Sequence, residues 1–152
     1  MSSEIEIHPE AAVAPGYLAN HAARVFNRAV DDGLRPHGLT LALIGPLLLL
    51  SWKGPMLQRD MVRASAIKQP AMVALLDKLE AMGMIERQVV AADKRAAAVS
   101  LTDAGRAGAT IGRTVLLDVN ARGVAGFSDG EAALLVGLLV KLIANLEDTT
   151  KN

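Results

Sequence analysis

The chain has 152 residues, with 16 Lys and Arg against 16 Asp and Glu, and it is 51% hydrophobic but only 3% aromatic. A chain of this length and apolar content is expected to form a single domain, which excludes disorder and collagen-like repeats. It has no cysteine, which excludes disulfides, thiolate metal sites and thiol nucleophiles. No export signal precedes the first helix, and no apolar stretch reaches the roughly 20 residues of a membrane span, so we expect a cytoplasmic protein without a membrane partner.

The zero net charge hides a segregation of charged residues along the chain. Residues 53–106 hold nine bases and six acids and so carry +3, whereas the flanks hold the other seven bases and ten acids and carry −3. A basic middle segment is a feature of nucleic-acid-binding proteins, although the imbalance is small.

Two helices are predicted in the first third of the chain. Leu18, Ala22, Val25 and Ala29 recur at the spacing of an amphipathic helix that begins near Pro15 and is closed by the Gly and Pro residues at 33–38. Thr40 can cap a second, almost wholly apolar helix that runs to Leu50, with a bend expected at Pro46.

A pair of helices with a tight link follows. The pattern predicts a short helix over about Leu57 to Ala64, and a fourth helix that begins near Ile67 or Lys68 and ends at Gly83 in a left-handed cap. Two helices joined in this way are a helix-turn-helix candidate. The predicted apolar stripe of the fourth helix consists of Ile67, Ala71, Met72, Leu75, Leu76, Leu79 and Met82.

The remaining elements are a hairpin and two long helices. Met84 to Val90 and Ala96 to Leu101 have the composition of strands, around a basic tip. Thr102 caps a fifth helix toward Arg122, in which Gly105, Gly108 and Gly112 predict the close approach of another helix. Ser128 and Glu131 form a capping box for a sixth helix to about Glu147, whose apolar surface requires a partner.

This order of elements and three short motifs resemble the MarR family of winged helix-turn-helix transcription regulators. The motifs are Leu-Asp-Lys-Leu-Glu at 76–80 with Gly-Met-Ile-Glu-Arg at 83–87, Asp-Lys-Arg at 93–95, and Ser-Leu-Thr-Asp-Ala-Gly at 100–105. The resemblance implies a mainly α (α+β) fold, a winged helix-turn-helix with a two-strand wing. It also implies a single domain over 1–152, with a DNA-binding lobe at 40–101 and a helical dimerisation lobe at 15–35 and 102–148.

The resemblance further implies a homodimer that binds double-stranded DNA at a pseudo-palindromic operator, most simply as a repressor without catalytic activity. Two recognition helices would enter major grooves about one helical turn (~34 Å) apart. Arg95 would enter the minor groove, and Asp93 would orient the wing. The full set of expected DNA-binding residues is Lys68, Gln69, Pro70, Val73, Ala74, Lys78, Arg87, Lys94 and Arg95.

The fourth helix departs from the family's pattern on its outward face. Only Gln69 there can pair bidentately with a base, while Val73 and Ala74 can contact thymine methyl groups. Gln88 also replaces a second wing arginine that is common after Arg87. An alternative function therefore stays open, in which the winged-helix dimer has lost specific DNA reading and serves as a ligand- or protein-binding module.

Two further features concern small molecules and catalysis. Family members often bind small aromatic or phenolic ligands, for which Trp52, His21 and His37 are the candidate residues here. The histidines have no metal-ligand spacing, and no cofactor motif is present. Gly-Phe-Ser-Asp-Gly at 126–130 formally matches a hydrolase nucleophile motif, but every histidine precedes Ser128, so we expect that serine to act only as a cap.

Overall fold

The structure is a computed structural model that describes residues 6–89 and 96–149. The described residues form a three-stranded sheet and six α-helices. The helices are α1 (Pro15–Leu34), α2 (Leu41–Lys53), α3 (Gln58–Ala64), α4 (Gln69–Ala81), α5 (Asp103–Gly123) and α6 (Asp129–Thr149). The strands are β1 (Met56–Leu57), β2 (Ile85–Val89) and β3 (Ala97–Leu101).

The mainly helical fold with a small antiparallel sheet confirms the predicted winged helix-turn-helix class. The predicted hairpin is β2 paired with β3, in a register that places Arg87 opposite Val99. The sheet has a third strand that the sequence analysis did not predict, because β1 has only two residues and pairs with β3 over Met56 and Leu57. The predicted basic tip of the hairpin lies outside the described residues.

The hydrophobic core contains one face of α2 and one face of α4. In α2, Leu43, Ile44, Leu47 and Leu50 are buried, and the helix continues through the buried Pro46. In α4 the buried residues are Met72, Leu76 and Leu79, which confirms the centre of the predicted stripe. Ala71, which was also placed on that stripe, is exposed. A four-residue link, Ser65 to Lys68, joins α3 to α4, and the Ser65 hydroxyl stabilises it by donating to the Met61 carbonyl oxygen at 2.9 Å.

Helix ends follow the predicted caps. The Thr40 hydroxyl accepts a hydrogen bond from the Leu43 amide at 3.2 Å, and the Thr102 hydroxyl accepts one from the Gly105 amide at 3.1 Å. Gly83, just after α4, has a φ of +75°, the left-handed conformation that glycine adopts without strain. This turn sends the chain back along α4 as β2.

The glycines of α5 let that helix lie directly against its neighbours. A Cβ at Gly105 would lie 1.9 Å from the Met84 carbonyl oxygen, and one at Gly112 would lie 3.0 Å from an Ile44 side-chain carbon. A Cβ at Gly108 would lie 3.2 Å from a Leu47 methyl group. The predicted close approach is therefore observed, against both α2 and the start of the hairpin.

Of the described residues, those up to Val119 form one compact unit and those from Asn120 form a second, which contains the end of α5 and all of α6. The predicted division into DNA-binding and dimerisation lobes stays a prediction. No single helix among the described residues is long and apolar enough to cross a membrane; only α1 and α2 taken together, with a bend of 81° between them, reach that length and composition.

Substitution of Gly105 tests the close approach. We expect Gly105→Ala to lower the free energy of unfolding by about 1–3 kcal/mol, because the added methyl group meets backbone that cannot move aside cheaply. The control is Gly16→Ala in α1, where a Cβ would meet nothing within 4 Å, and its effect should stay within about 0.5 kcal/mol. Urea denaturation measures both, and equal stabilities of the two variants would contradict the packing.

The capping box of α6 gives a second test. The Ser128 hydroxyl accepts from the Glu131 amide at 3.1 Å, and the Glu131 carboxylate accepts from the Ser128 amide at 3.0 Å. Ser128→Ala should lower the free energy of unfolding by about 0.5–2 kcal/mol, whereas Ser128→Thr keeps a hydroxyl and should lose less.

The capping box also predicts a pH dependence. The backbone amide and the hydroxyl of Ser128 lower the pKa of Glu131. A lowered folded-state pKa stabilises the fold above the ordinary carboxyl pKa, and this stabilisation is lost as the pH falls through the folded value. The difference in stability between wild type and Glu131→Gln, which keeps a neutral side chain of the same shape, should therefore shrink below about pH 4 when it is followed by circular dichroism; a difference that grows toward acid pH would contradict the cap.

Candidate nucleic-acid interface

One face of α4 is exposed and carries most of the residues predicted to contact DNA. Lys68 is the N-terminal capping residue of the helix, Lys78 lies in its last turn, and Val73 is half-buried. Neither lysine forms an ion pair within the described part of the chain. The predicted residues that are exposed here are Lys68, Gln69, Pro70, Ala74 and Lys78.

Arg87 differs from these lysines because two carboxylates already hold it. Its Nε and Nη2 donate to the two carboxylate oxygens of Glu80 at 3.1 and 3.0 Å, and Nη2 also donates to Asp77 Oδ1 at 2.6 Å. The Arg87 side chain is 20% exposed, whereas those of Asp77 and Glu80 are 61% and 45% exposed. We call these three residues the Arg87 cluster.

The contacts of the Arg87 cluster shift the pKa values of Arg87 and Glu80. The hydrogen bonds that Arg87 donates to Glu80 and then to Asp77 raise the pKa of Arg87, so it stays protonated at every accessible pH. The hydrogen bond from Arg87 lowers the pKa of Glu80, so that carboxylate is ionised at neutral pH. The cluster therefore holds one positive and two negative charges and is net negative.

A cavity of about 520 Å³ lies between α4 and the hairpin. Gln58, at the start of α3, lines it and is only 5% exposed. The other lining residues are Gln69, Val73, Asp77, Glu80, Arg87, Val89 and Ala97. The cavity thus brings Gln69 and Val73 of the predicted α4 face together with Arg87 of the hairpin, beside apolar side chains of both.

The predicted wing-tip residues Asp93, Lys94 and Arg95 lie outside the described residues. Their expected roles in the minor groove and in orienting the wing stay predictions. The strands that lead to them are described, and the last residues before and after the tip that pair with each other are Val89 and Ala97.

The three predicted ligand-binding residues do not line this cavity. Trp52, at the end of α2, is 77% exposed, and the Lys53 ammonium lies 4.6 Å from its ring centroid. The His21 ring stacks on Tyr17 in α1 with the ring centroids 6.3 Å apart. His37 lies in a short 3-10 turn after α1. Their role in ligand binding stays a prediction.

The described residues contain no group of three or more His, Asp or Glu side chains that could hold a metal ion. The Ser128 hydroxyl accepts a hydrogen bond from the Glu131 amide, as the capping-box reading of the Gly-x-Ser-x-Gly motif predicts.

The sequence analysis missed the partners of Arg87. Asp77 and Glu80 lie three residues apart on α4, and Arg87 lies seven residues after Glu80, beyond the Gly83 turn. A helix followed by a left-handed glycine and a strand reverses the chain, so acids in the last turns of the helix and a base in the strand are brought together. Acids near the end of a helix, a glycine turn and a base on the next strand were therefore the sequence signal for this ion pair.

The architecture defines this chain as a winged helix-turn-helix protein. A model of the MarR family matches residues 37–96, which include α2, α3, α4 and β2. The resemblance to the MarR family is therefore confirmed over residues 37–96, which are less than half of the chain.

Solved structures extend the likeness over most of the chain. A probable transcriptional regulator from Pseudomonas aeruginosa is 27% identical with a TM-score of 0.74, over 86% of this chain and 98% of that one. A MarR family protein of Mycobacterium tuberculosis is 27% identical with a TM-score of 0.69, over 86% and 95%. Bordetella bronchiseptica BpsR is 25% identical with a TM-score of 0.74, over 84% and 96%, and its DNA binding is described as regulated by 6-hydroxynicotinic acid.

Proposed function

We propose that this protein is a cytoplasmic, sequence-specific transcriptional regulator that binds a pseudo-palindromic operator as a homodimer and represses the adjacent promoter. The observation that carries the proposal is the exposed α4 face, on which Lys68 and Lys78 have no ion pair in the described residues while the opposite face is buried. Cations that have no ion pair in the described residues, at both ends of an exposed helix, are suited to the phosphates that flank a major groove. We expect no catalytic activity.

The composition of α4 also limits how bases are read. Gln69 at the start of the helix has the amide geometry that pairs with adenine, and Val73 and Ala74 offer methyl contacts to thymine. Pro70 offers no donor. We therefore expect specificity to depend on few base-edge hydrogen bonds and, to a larger extent, on DNA shape read by the wing arginine, Arg95.

The homodimer is supported by the surface of α6. Leucine, valine and isoleucine side chains on this helix are 40–62% exposed, far more apolar surface than a helix in water keeps without a partner. A second copy of this chain, pairing α6 by two-fold symmetry, would cover that surface. The residues concerned are Leu134, Leu135, Val136, Leu138, Leu139, Val140, Ile143 and Leu146.

A small aromatic ligand is the effector we propose, by analogy with BpsR and the hydroxylated pyridine acid that regulates its DNA binding. Such a ligand would release the operator by binding the DNA-competent and DNA-incompetent forms of the dimer with unequal affinity. Trp52, His21 and His37 remain the proposed ligand contacts. Titration with 6-hydroxynicotinic acid and salicylate, followed by Trp52 fluorescence, tests them.

One observation favours a second candidate function. The Arg87 cluster is net negative and borders the α4 face, where Val73 and Ala74 replace hydrogen-bonding side chains. An apolar, locally acidic face is suited to a protein or a small molecule better than to phosphate. The alternative is therefore a winged-helix dimer that binds a ligand or a protein and no longer reads DNA.

Selection of duplexes from a random DNA library separates the two functions. Wild type should enrich an inverted repeat with half-sites about one helical turn apart at about 0.15 M salt, and Arg95→Ala should weaken enrichment of narrow-groove sites most. Arg28→Ala removes the same charge from α1, outside the winged helix, and should bind like wild type. With about six to eight phosphates contacted per dimer, log K against log salt should have a slope near −5 to −7.

Two results would contradict these expectations. In the first, wild type enriches no sequence; in the second, Arg95→Ala and Arg28→Ala enrich the same repeat equally well. The first result would favour the ligand- or protein-binding module. The second would remove Arg95 from the DNA interface.

The homodimer is tested by a charge on α6. Ile143→Glu should weaken dimerisation at least about a hundredfold, because each protomer loses about 2 kcal/mol of apolar burial and must desolvate a carboxylate. Asn145→Asp adds the same charge at an exposed polar position of the same helix and should leave the dimer intact. Sedimentation equilibrium measures both, and a monomeric wild type or an undisturbed Ile143→Glu dimer would reject this interface.

A further inference from the structure

We propose that the Arg87 cluster is a latch that fixes the first wing strand to the recognition helix, so that Arg87 supports DNA binding by positioning the wing and not by contacting phosphate. This inference rests on the proposed function, because it assigns a role within that same interface. It changes the expectation drawn from the family resemblance, in which Arg87 is one of the DNA-contacting residues.

The geometry of the cluster is that of a structural clamp. Nε and Nη2 of Arg87 donate to the two carboxylate oxygens of Glu80 in a bidentate pair at 3.1 and 3.0 Å, and Nη2 also donates to Asp77 Oδ1 at 2.6 Å. Paired, charge-assisted hydrogen bonds of this kind fix orientation as well as distance. The guanidinium thereby joins two successive turns of α4 to the middle of β2.

The position of the latch explains what it would hold. Ile85, at the start of β2, is buried in the core, whereas Gln88 and Val89 beyond Arg87 are exposed. Between α4 and this outer part of the hairpin lies the 520 Å³ cavity, with Val73 on one side and Val89 on the other. Apolar packing therefore anchors the root of the wing, and the ionic cluster anchors the strand where that packing ends.

The charge balance argues against a phosphate contact by Arg87. Its single positive charge already faces two carboxylates, and a phosphate would have to approach a net negative cluster or displace Glu80 from a bidentate pair. Lys68 and Lys78 on the same helix have no ion pair in the described chain and are available to phosphate without such a cost.

The latch role and the phosphate-contact role of Arg87 predict opposite changes in DNA affinity when Asp77 and Glu80 are neutralised. If Asp77 and Glu80 act only through their charge, Asp77→Asn/Glu80→Gln removes repulsion and binds DNA more tightly. If they hold the latch, the same variant loses the fixed wing and binds more weakly. Glu86→Gln is the matched control, because Glu86 is an exposed acid on the same strand without an ion pair in the described residues.

The experiment measures affinity for the selected operator over a range of salt. We expect Arg87→Gln and Asp77→Asn/Glu80→Gln each to weaken binding about three- to tenfold, a modest loss because the carboxylates are half exposed. The slope of log K against log salt should stay that of wild type. Lys78→Gln should instead reduce the slope by about two for the dimer, as expected for a phosphate contact in each protomer.

Arg87→Lys adds a readout that separates charge from geometry. Lysine keeps the positive charge but lacks the planar fork of the guanidinium. If Arg87 forms a latch, Arg87→Lys should bind DNA nearly as weakly as Arg87→Gln; if Arg87 only contacts phosphate, Arg87→Lys should largely retain the affinity of wild type. The proposal is overturned if Asp77→Asn/Glu80→Gln binds DNA more tightly than wild type, if Arg87→Gln lowers the salt slope as Lys78→Gln does, or if Arg87→Lys binds like wild type.

A second measurement tests the latch without DNA. Hydrogen exchange of β2 amides, residues 85–89, should be faster in Arg87→Gln and in Asp77→Asn/Glu80→Gln than in wild type, and unchanged in Glu86→Gln. If wild type selects no operator, the proposed function fails while this measurement still decides the latch. Unchanged exchange in the latch variants would overturn it.

Discussion

The arrangement of the recognition helix and the wing depends on the contact between the start of α5 and the turn that ends α4. The Met84 carbonyl oxygen accepts a hydrogen bond from the Thr102 amide at 3.1 Å, and the Thr102 hydroxyl donates one to the Gly83 carbonyl oxygen. Gly105 brings the α5 backbone so close to Met84 that a single methyl group would not fit. Because α4 ends and β2 begins at this turn, one backbone contact sets the direction of both elements. Gly108 and Gly112 then let the same helix lie on α2, so α5 contacts both α2 and the turn after α4.

Electrostatics divide the candidate interface into two parts with different roles. Lys68 and Lys78 project from α4 without ion pairs in the described residues, whereas Arg87 is neutralised by Asp77 and Glu80. Counting charges in the sequence treats these cations as equivalent, but the structure does not. The middle segment's excess of +3 is therefore borne by exposed lysines, by Arg59 and by the bases at the hairpin tip, because Arg63 and Arg106 pair with Asp60 and Asp103. This distribution supports the proposed function, in which a few phosphate contacts hold the DNA and its shape contributes most of the specificity.

Most of the helices could be predicted because their signals are local. The Thr40 and Thr102 caps, the Gly83 turn and the capping box at Ser128 each depend on residues within four positions of one another, and each is observed. Strand β1 was missed because two residues carry no periodicity; it exists only because β3 lies beside it. Ala71 was placed on the buried stripe because alanine fits either environment, and the orientation of α4 left it exposed.

The candidate site was predicted only in part, because only some of its features depend on local sequence signals. The sequence by itself determined the order of the helices and the hairpin, the family resemblance, the apolar character of α6 and which residues occupy the outward face of α4, since these follow from spacing and from local motifs. Only the tertiary structure decided that Arg87 faces two carboxylates, and that Gly105 lies against Met84 while Gly108 and Gly112 lie against α2. Those contacts join elements whose approach depends on how the whole core packs, and no local pattern fixes that packing.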